Sequence, residues 1–232
     1  MKRTSDPGTW QVILSDATSD LGRATFLLYV DADNQNCTGA SDQFVFYQTG
    51  DQSNLCSGQS AKLGIWYHIA VSRNGNGLIR FFVNGALKRV SRDTKSPTDS
   101  NGIMTLGRAG DYVGGYFGGL IDEVRISNAA IYTSAFSPPT VPLISTMRTV
   151  ALWHLDEGAG QIASDSSGNG RHGTLDFASG LDTAGPDWSI DTPVVITVPP
   201  PTPTQEWTSM PGDDEITGKT MTTPYPTETP IP

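Results

Sequence analysis

Paired carboxylates are the first residues in this chain that could do chemistry, because hydrolytic enzymes use them as acid, base or nucleophile. The chain has five glutamates, and two of them stand in the adjacent pairs Asp122-Glu123 and Asp156-Glu157. Both pairs lie in strand-like stretches, where neighbouring side chains point to opposite faces. Neither pair is suited to act on one bond, so we predict no catalytic residues.

A calcium site is a better-founded hypothesis for this chain than a catalytic site. Asp165 and Asn169 bound the short run DSSGN, which brings a carboxylate and an amide oxygen into one tight loop. Hard cations such as Ca²⁺ prefer clustered oxygens of this kind. The alternative is an Asx-turn, in which Asp165 caps its own loop without a metal.

Two tyrosines are candidates for ligand binding. Tyr112 and Tyr116 lie in the Gly-rich stretch 110–119. If that stretch is exposed, the rings can stack on sugar faces while polar groups fix the hydroxyls. The alternative is that one or both rings close the core under the last strand.

The two cysteines, Cys37 and Cys56, flank the apolar run Gln43 to Tyr47. If both flanks are loops at one end of a hairpin, the sulfur atoms come within disulfide reach. Two free thiols in a reducing compartment are the other possibility. No Cys/His spacing typical of zinc occurs.

Strands must position all of these residues. From Trp66 to Ser72, alternate side chains fall on opposite faces, and Ile79 to Val83 repeats the pattern before Asn84-Gly85, a strong hairpin signal. Further strand patterns occur at 9–14, 24–30, 44–48 and 120–127. Short, regularly spaced strands of this kind predict an all-β antiparallel sandwich.

Composition excludes several classes of function. The 232 residues carry a formal charge of −9, and no cluster of basic residues offers a surface to nucleic acid. No apolar run reaches the roughly 18 residues of a membrane helix, so we predict no membrane insertion. The opening MKRTSDPGTW has no apolar segment behind its basic residues, which is unlike a secretory signal. Either the chain is not exported by that route or its N-terminus is truncated.

The ordered segments "WYHIAV", "RFFVNGAL" and "LGRAGDYVGGYFGGLIDEVRIS" resemble the second half of laminin-G-like, or concanavalin A-like, jelly-roll domains of secreted proteins. The resemblance implies a jelly-roll sandwich over residues 1–138. It also implies a structural Ca²⁺ that ties an opening loop to the last strand, which would add Asp122 to Asp165 and Asn169. For His68 it implies a structural hydrogen bond.

The rest of the chain divides by composition. Residues 139–147 read as a linker, and residues 148–190 resemble the opening strand and loop of the same family. That segment either docks on the first domain, forms a partial second repeat, or completes a neighbouring chain by strand exchange. The Pro/Thr-rich residues 191–232 predict a disordered tail.

These observations predict a non-catalytic binding or adhesion module of an extracellular or cell-surface protein, whose partner is a glycan or an extracellular protein. One alternative is a remnant glycoside hydrolase or lyase of the same fold. Another is a structural spacer that assembles by strand addition.

Overall fold

The computed structural model of the chain describes residues 1–17, 25–49, 54–95, 103–110, 114–175 and 186–193. Fourteen strands lie within these ranges, and none of the described elements is a helix of the length and apolarity needed to span a membrane. In chain order the strands are β1 Lys2–Arg3, β2 Gln11–Ala17, β3 Phe26–Asp31, β4 Gln43–Gln48, β5 Asn54–Ser60, β6 Ile69–Arg73, β7 Leu78–Val83, β8 Ala86–Arg92, β9 Ile103–Leu106, β10 Gly119–Leu120, β11 Val124–Ser127, β12 Thr149–Trp153, β13 Ile162–Ala163 and β14 Gly173–Thr174. Most of the predicted tail, from residue 194 onward, lies outside the described residues.

The larger sheet has five strands in the order β5-β4-β3-β2-β9, and each ladder in it is antiparallel. Because side chains alternate along a strand, its two faces carry different residues. On β3, Leu28 and Val30 point to one apolar cluster, while Leu27 and Tyr29 point to another. The sheet is therefore covered on both faces.

The smaller sheet contains β6, β7 and β8, also antiparallel. Its β7–β8 hairpin turns at Asn84-Gly85, both with positive φ, as the sequence predicts. A Cβ on Gly85 would lie 1.8 Å from the carbonyl oxygen of Phe136, so only glycine fits there. Phe81 of this sheet and Phe44 of the larger sheet are both fully buried in the shared core. This packing of sheet on sheet confirms the predicted antiparallel sandwich.

Residues 148–175 and 186–193 belong to the same compact unit as the sandwich. Strand β12 pairs antiparallel with β11 of the same chain, and Ala151 and Leu152 are buried there. The range 186–193 returns to the amino-terminal end, where Asp191 accepts a hydrogen bond from the Trp66 indole at 3.0 Å and forms an ion pair with Lys2.

Candidate functional site

A group of rings covers the face of the five-stranded sheet that points away from the smaller sheet. We call this the outer face. Tyr29 lies in register with Val12 on one side and Val45 on the other. Trp10 meets Tyr29 edge to face, with ring centroids 6.1 Å apart, and Tyr47 packs against the same cluster. Trp10 and Tyr47 remain half-exposed, so part of their ring surface is open to a ligand.

A chain of polar groups runs beside these rings. The Tyr29 hydroxyl donates to Asn54 Oδ1 at 3.0 Å, Asn54 Nδ2 donates to Asn36 Oδ1 at 3.1 Å, and Asn36 Nδ2 donates to Asp31 Oδ1 at 3.0 Å. The buried Asp31 carboxylate also accepts the backbone N–H of Cys37 at 2.8 Å. These bonds fix the orientation of two amide groups at the edge of the rings.

A disulfide holds this edge together. Cys37 and Cys56 are bonded, with Cα atoms 5.9 Å apart, and Cys37 is buried in the outer-face cluster. The bond ties the loop that carries Asn36 to β5, which carries Asn54. In the loop-entropy account, a crosslink over a loop of this length stabilises the fold by about 3 kcal/mol.

Tyr29 and Asp33, near the polar chain, both have a raised pKa. Burial, followed by the charges of Asp31 and Asp33, raises the pKa of Tyr29 above its ordinary value, so its hydroxyl remains a donor at neutral pH. Burial and the neighbouring Asp31 also raise the pKa of Asp33.

Tyr116 lies next to the outer face. The backbone of Gly115 sits on the Trp10 ring so closely that an added Cβ would be 3.0 Å from Trp10 Cη2, and the Gly115 carbonyl accepts the Val12 N–H at 2.7 Å. The Tyr116 side chain is 38% exposed. Tyr112, the other predicted ligand-binding residue, lies outside the described residues.

Sequence reasoning missed Trp10, Tyr29, Asn36 and Asn54. A signal for Tyr29 was present, because it alternates with Leu28 and Val30 and must therefore face away from the sandwich core. No local pattern predicts the Asn36–Asn54 bond, which joins residues 18 positions apart.

A laminin G family model, described as the concanavalin A-like lectin/glucanases superfamily, matches residues 1–141. The chain belongs to this superfamily. The match covers the sandwich and ends before β12, and the family includes sugar-binding and sugar-cleaving proteins by its description.

Among solved structures, the chain resembles a candidate carbohydrate-binding protein from Bacteroides ovatus ATCC 8483, with a TM-score of 0.56 and 18% identity. The similarity covers 73% of this chain and 47% of that protein, so the chain spans about half the length of its structural relative. At this identity the likeness concerns the fold alone. No curated protein sequence matches the chain.

Asp165, the centre of the predicted calcium loop, is buried and accepts several hydrogen bonds. Its donors include the backbone N–H groups of Leu152 and Arg171, both at 2.9 Å, and the Ser167 hydroxyl at 2.8 Å. Burial alone would raise the pKa of Asp165, but these bonds outweigh it and hold that pKa well below its usual range. Asn169 Nδ2 donates to the Val150 carbonyl at 3.0 Å. The loop is thus clamped onto β12.

Asp122 has different partners from Asp165. It accepts the Thr192 hydroxyl at 2.5 Å and the Glu123 backbone N–H at 3.0 Å, and burial raises its pKa. Within the described residues, no three His, Cys, Asp or Glu side chains are grouped as metal ligands. The calcium site of Asp122, Asp165 and Asn169 stays a prediction.

The glutamates considered for catalysis are engaged in other bonds. Glu123 Oε1 lies 2.8 Å from His154 Nδ1, and Glu123 Oε2 accepts the Leu143 N–H at 2.9 Å. Glu157 is exposed and accepts the Ser164 N–H at 2.7 Å. Both carboxylates bind segments of the chain together.

His68 differs from the expectation that the family resemblance implied. Its ring packs edge to face against Tyr132 and Phe136, with centroids 6.0 and 5.3 Å away. Its Nδ1 is buried and, among the described residues, has no hydrogen-bond partner. Burial lowers the pKa of His68 to about 4, so the ring is neutral at neutral pH.

Proposed function

We propose that the chain is a non-catalytic carbohydrate-binding module and that its outer face holds the sugar. The observation that carries the proposal is the placement of the half-exposed Trp10 and Tyr47 rings beside the oriented amides of Asn36 and Asn54. Sugars need both features, because their C–H faces stack on rings while their hydroxyls bond to fixed polar groups. Superfamily membership and the Bacteroides ovatus relative support the same class of ligand.

Glycan binding is tested by screening the full chain on a glycan array and measuring the affinity of each hit by calorimetry. We expect Tyr47→Ala and Asn54→Ala to weaken binding by about tenfold or more, which corresponds to the loss of about 1.4 kcal/mol of binding free energy. Leu87→Ala, an exposed change on β8, is the matched control and should leave the affinity unchanged. An empty array with folded protein, or equal affinities for all three variants, would refute the proposal.

The absence of catalysis is part of the proposal. Its support is that both oxygens of Glu123 already accept bonds within the chain, which tie that carboxylate to His154 and to the Leu143 backbone. We expect no turnover of a polysaccharide panel. Turnover that disappears in Glu123→Gln or Glu157→Gln would overturn this and favour the hydrolase alternative.

We also propose an extracellular or cell-surface setting, in which the module serves adhesion to glycans or glycosylated proteins. The Cys37–Cys56 bond supports this, because disulfides persist in oxidising environments. Alkylation of unreduced protein from the native host should leave both cysteines unlabelled. Labelling of both would place the protein in a reducing compartment.

A further inference from the structure

The smaller sheet carries a charge opposite to that of the whole molecule. Residues 52–92 contain no aspartate or glutamate, so all 24 acidic residues of this chain, whose formal charge is −9, lie elsewhere. The same range contains six basic residues, namely Lys62, Arg73, Arg80, Lys88, Arg89 and Arg92. Because β6, β7 and β8 fall within it, the sheet is a basic element of an acidic protein. A local field of this sign attracts anions.

Strand pairing gathers two of these arginines on the side of the sheet that faces away from the core. On β7, Ile79 and Phe81 point into the shared core, so Arg80 between them points outward. Arg80 lies in register with Val90 of β8, and Arg92 stands two residues further along β8. Residues related in this diagonal way lie roughly 7 to 8 Å apart, so both guanidinium groups belong to one patch.

We call this patch the basic face and define it by Arg80, Arg92 and the apolar residues Val90 and Leu87. Leu87 is in register with Phe82, two residues from Arg80, and therefore shares its side of the sheet. Val90 is 51% exposed and Leu87 is 41% exposed. The basic face thus offers apolar surface directly beside its two charges.

The charge of the basic face is not neutralised within the part of the chain that the structure describes. No described carboxylate forms an ion pair with Arg80 or Arg92. Arg92 donates one hydrogen bond, to the Asn76 carbonyl at 3.2 Å. Asp93, the next residue, is buried and accepts a hydrogen bond from Gln48 Nε2 at 2.9 Å, which ties its carboxylate to the larger sheet. Both guanidinium groups are therefore available to an anionic partner.

We propose that the basic face binds an extended acidic segment of another protein. In an extended chain, the side chains at positions i and i+2 point to the same side and lie about 6.6 to 6.8 Å apart, close to the separation of the two arginines. A carboxylate at each position pairs with one guanidinium, whose planar fork matches carboxylate geometry. An aliphatic residue at i+4 then contacts Leu87 and Val90. A sulfated sugar or a phosphate backbone supplies the charge but no such apolar side chain.

The test titrates the full chain with a capped heptapeptide, Gly-Glu-Thr-Glu-Thr-Leu-Gly, and follows backbone amide shifts by NMR. We expect the shifts to concentrate in Leu78–Val83 and Ala86–Arg92, and the affinity to fall as salt rises, because exposed charges are screened. The matched control peptide, Gly-Glu-Glu-Thr-Thr-Leu-Gly, has the same composition but places its carboxylates on opposite sides of an extended chain. It should bind at least about threefold more weakly.

Two variants separate the basic face from general electrostatic attraction. Arg80→Gln should weaken peptide binding at least about threefold. Lys62→Gln removes the same charge from an exposed loop outside the basic face and should leave the affinity nearly unchanged. Circular dichroism checks that both variants fold. Glycan affinity should be the same in Arg80→Gln as in the unaltered chain, because the proposed glycan site lies on the other sheet.

Several outcomes would overturn the proposal. These are equal binding of the two peptides, equal loss of affinity in the two variants, or shifts that fall outside β7 and β8. Tighter binding of a sulfated oligosaccharide or an oligonucleotide to the same two strands would assign the basic face to another polyanion. Self-association of the chain that Arg80→Gln abolishes would assign it to a second copy. None of these results would depend on whether the outer face binds glycans, so the two proposals fail separately.

Discussion

Tyr29 illustrates how a single side chain links the core of the sandwich to the proposed glycan site. Its ring is buried at 4% exposure, and its hydroxyl begins the polar chain through Asn54 to Asn36. We expect Tyr29→Phe to reduce the free energy of unfolding by about 1 kcal/mol, because the Asn54 oxygen loses its donor. Urea denaturation of Tyr29→Phe, Asn54→Ala and the double variant measures this. Additive effects would show that the bond contributes nothing.

His68 should make stability depend on pH below neutrality. Its folded-state pKa of about 4 lies below the ordinary value of 6.5, so the unfolded chain binds the proton first as pH falls. The associated stability is complete above about pH 6.5 and is lost as pH falls toward 4, by at most about 3 kcal/mol. Urea unfolding between pH 4 and 7 should therefore have a shallower pH slope in His68→Phe than in the unaltered chain. Equal slopes would contradict burial of the neutral ring.

At the scale of elements, strand alternation predicted the fold well, because central strands such as β3 and β7 place alternate side chains in a core. The turn at Asn84-Gly85 and the strand pattern from Ile79 to Val83 could be predicted from the local sequence alone. The position of β12 did not follow from its own residues. Leu152 and Trp153 indicate that the strand needs cover, but the partner, β11, is defined by the three-dimensional packing.

The predicted site residues show the same limit. Cys37 and Cys56 could be paired in advance as one alternative, since they flank a single strand. The Asp165 loop was compatible with two structures, and the hydrogen bonds from Leu152 and Arg171 depend on where β12 lies. Residues of the outer face come together only across four strands, so their proximity could not be inferred from spacing.

The disulfide is the element whose removal has the simplest expected result. Replacing both cysteines, as in Cys37→Ser with Cys56→Ala, should lower stability by about 3 kcal/mol, because the unfolded chain gains loop freedom. Glycan affinity should also fall, since Asn36 and Asn54 would no longer be held at a fixed distance. Chemical denaturation and calorimetry measure the two effects. Unchanged affinity would indicate that the polar chain orders itself without the crosslink.

For the whole molecule, the two faces of the five-stranded sheet have separate roles. The outer face carries the rings and amides of the proposed glycan site, and the inner face packs against the smaller sheet to form the core of the sandwich.

The segment beyond residue 148 provides the test at this scale. Ending the chain at Thr140 removes β12 and exposes the side of β11 that it covers, together with the loss of buried Ala151 and Leu152. Burial of one leucine is worth about 1.5 to 3 kcal/mol, so we expect the shortened chain to melt at a clearly lower temperature. Equal melting temperatures would show that β12 contributes no stability to the sandwich.

The same melts, repeated with calcium and with EDTA, decide how Asp165 works. If Asp165 and Asn169 bind Ca²⁺ with Asp122, calcium should raise the melting temperature of the full chain and have no effect on the chain ending at Thr140. Asp165→Asn in the full chain should then abolish the calcium effect. If calcium changes none of these melts, the Asp165 carboxylate acts only through its bonds to Ser167, Leu152 and Arg171. In that case Asp165→Asn should still lower the melting temperature, because the buried loop loses a charged acceptor of four hydrogen bonds.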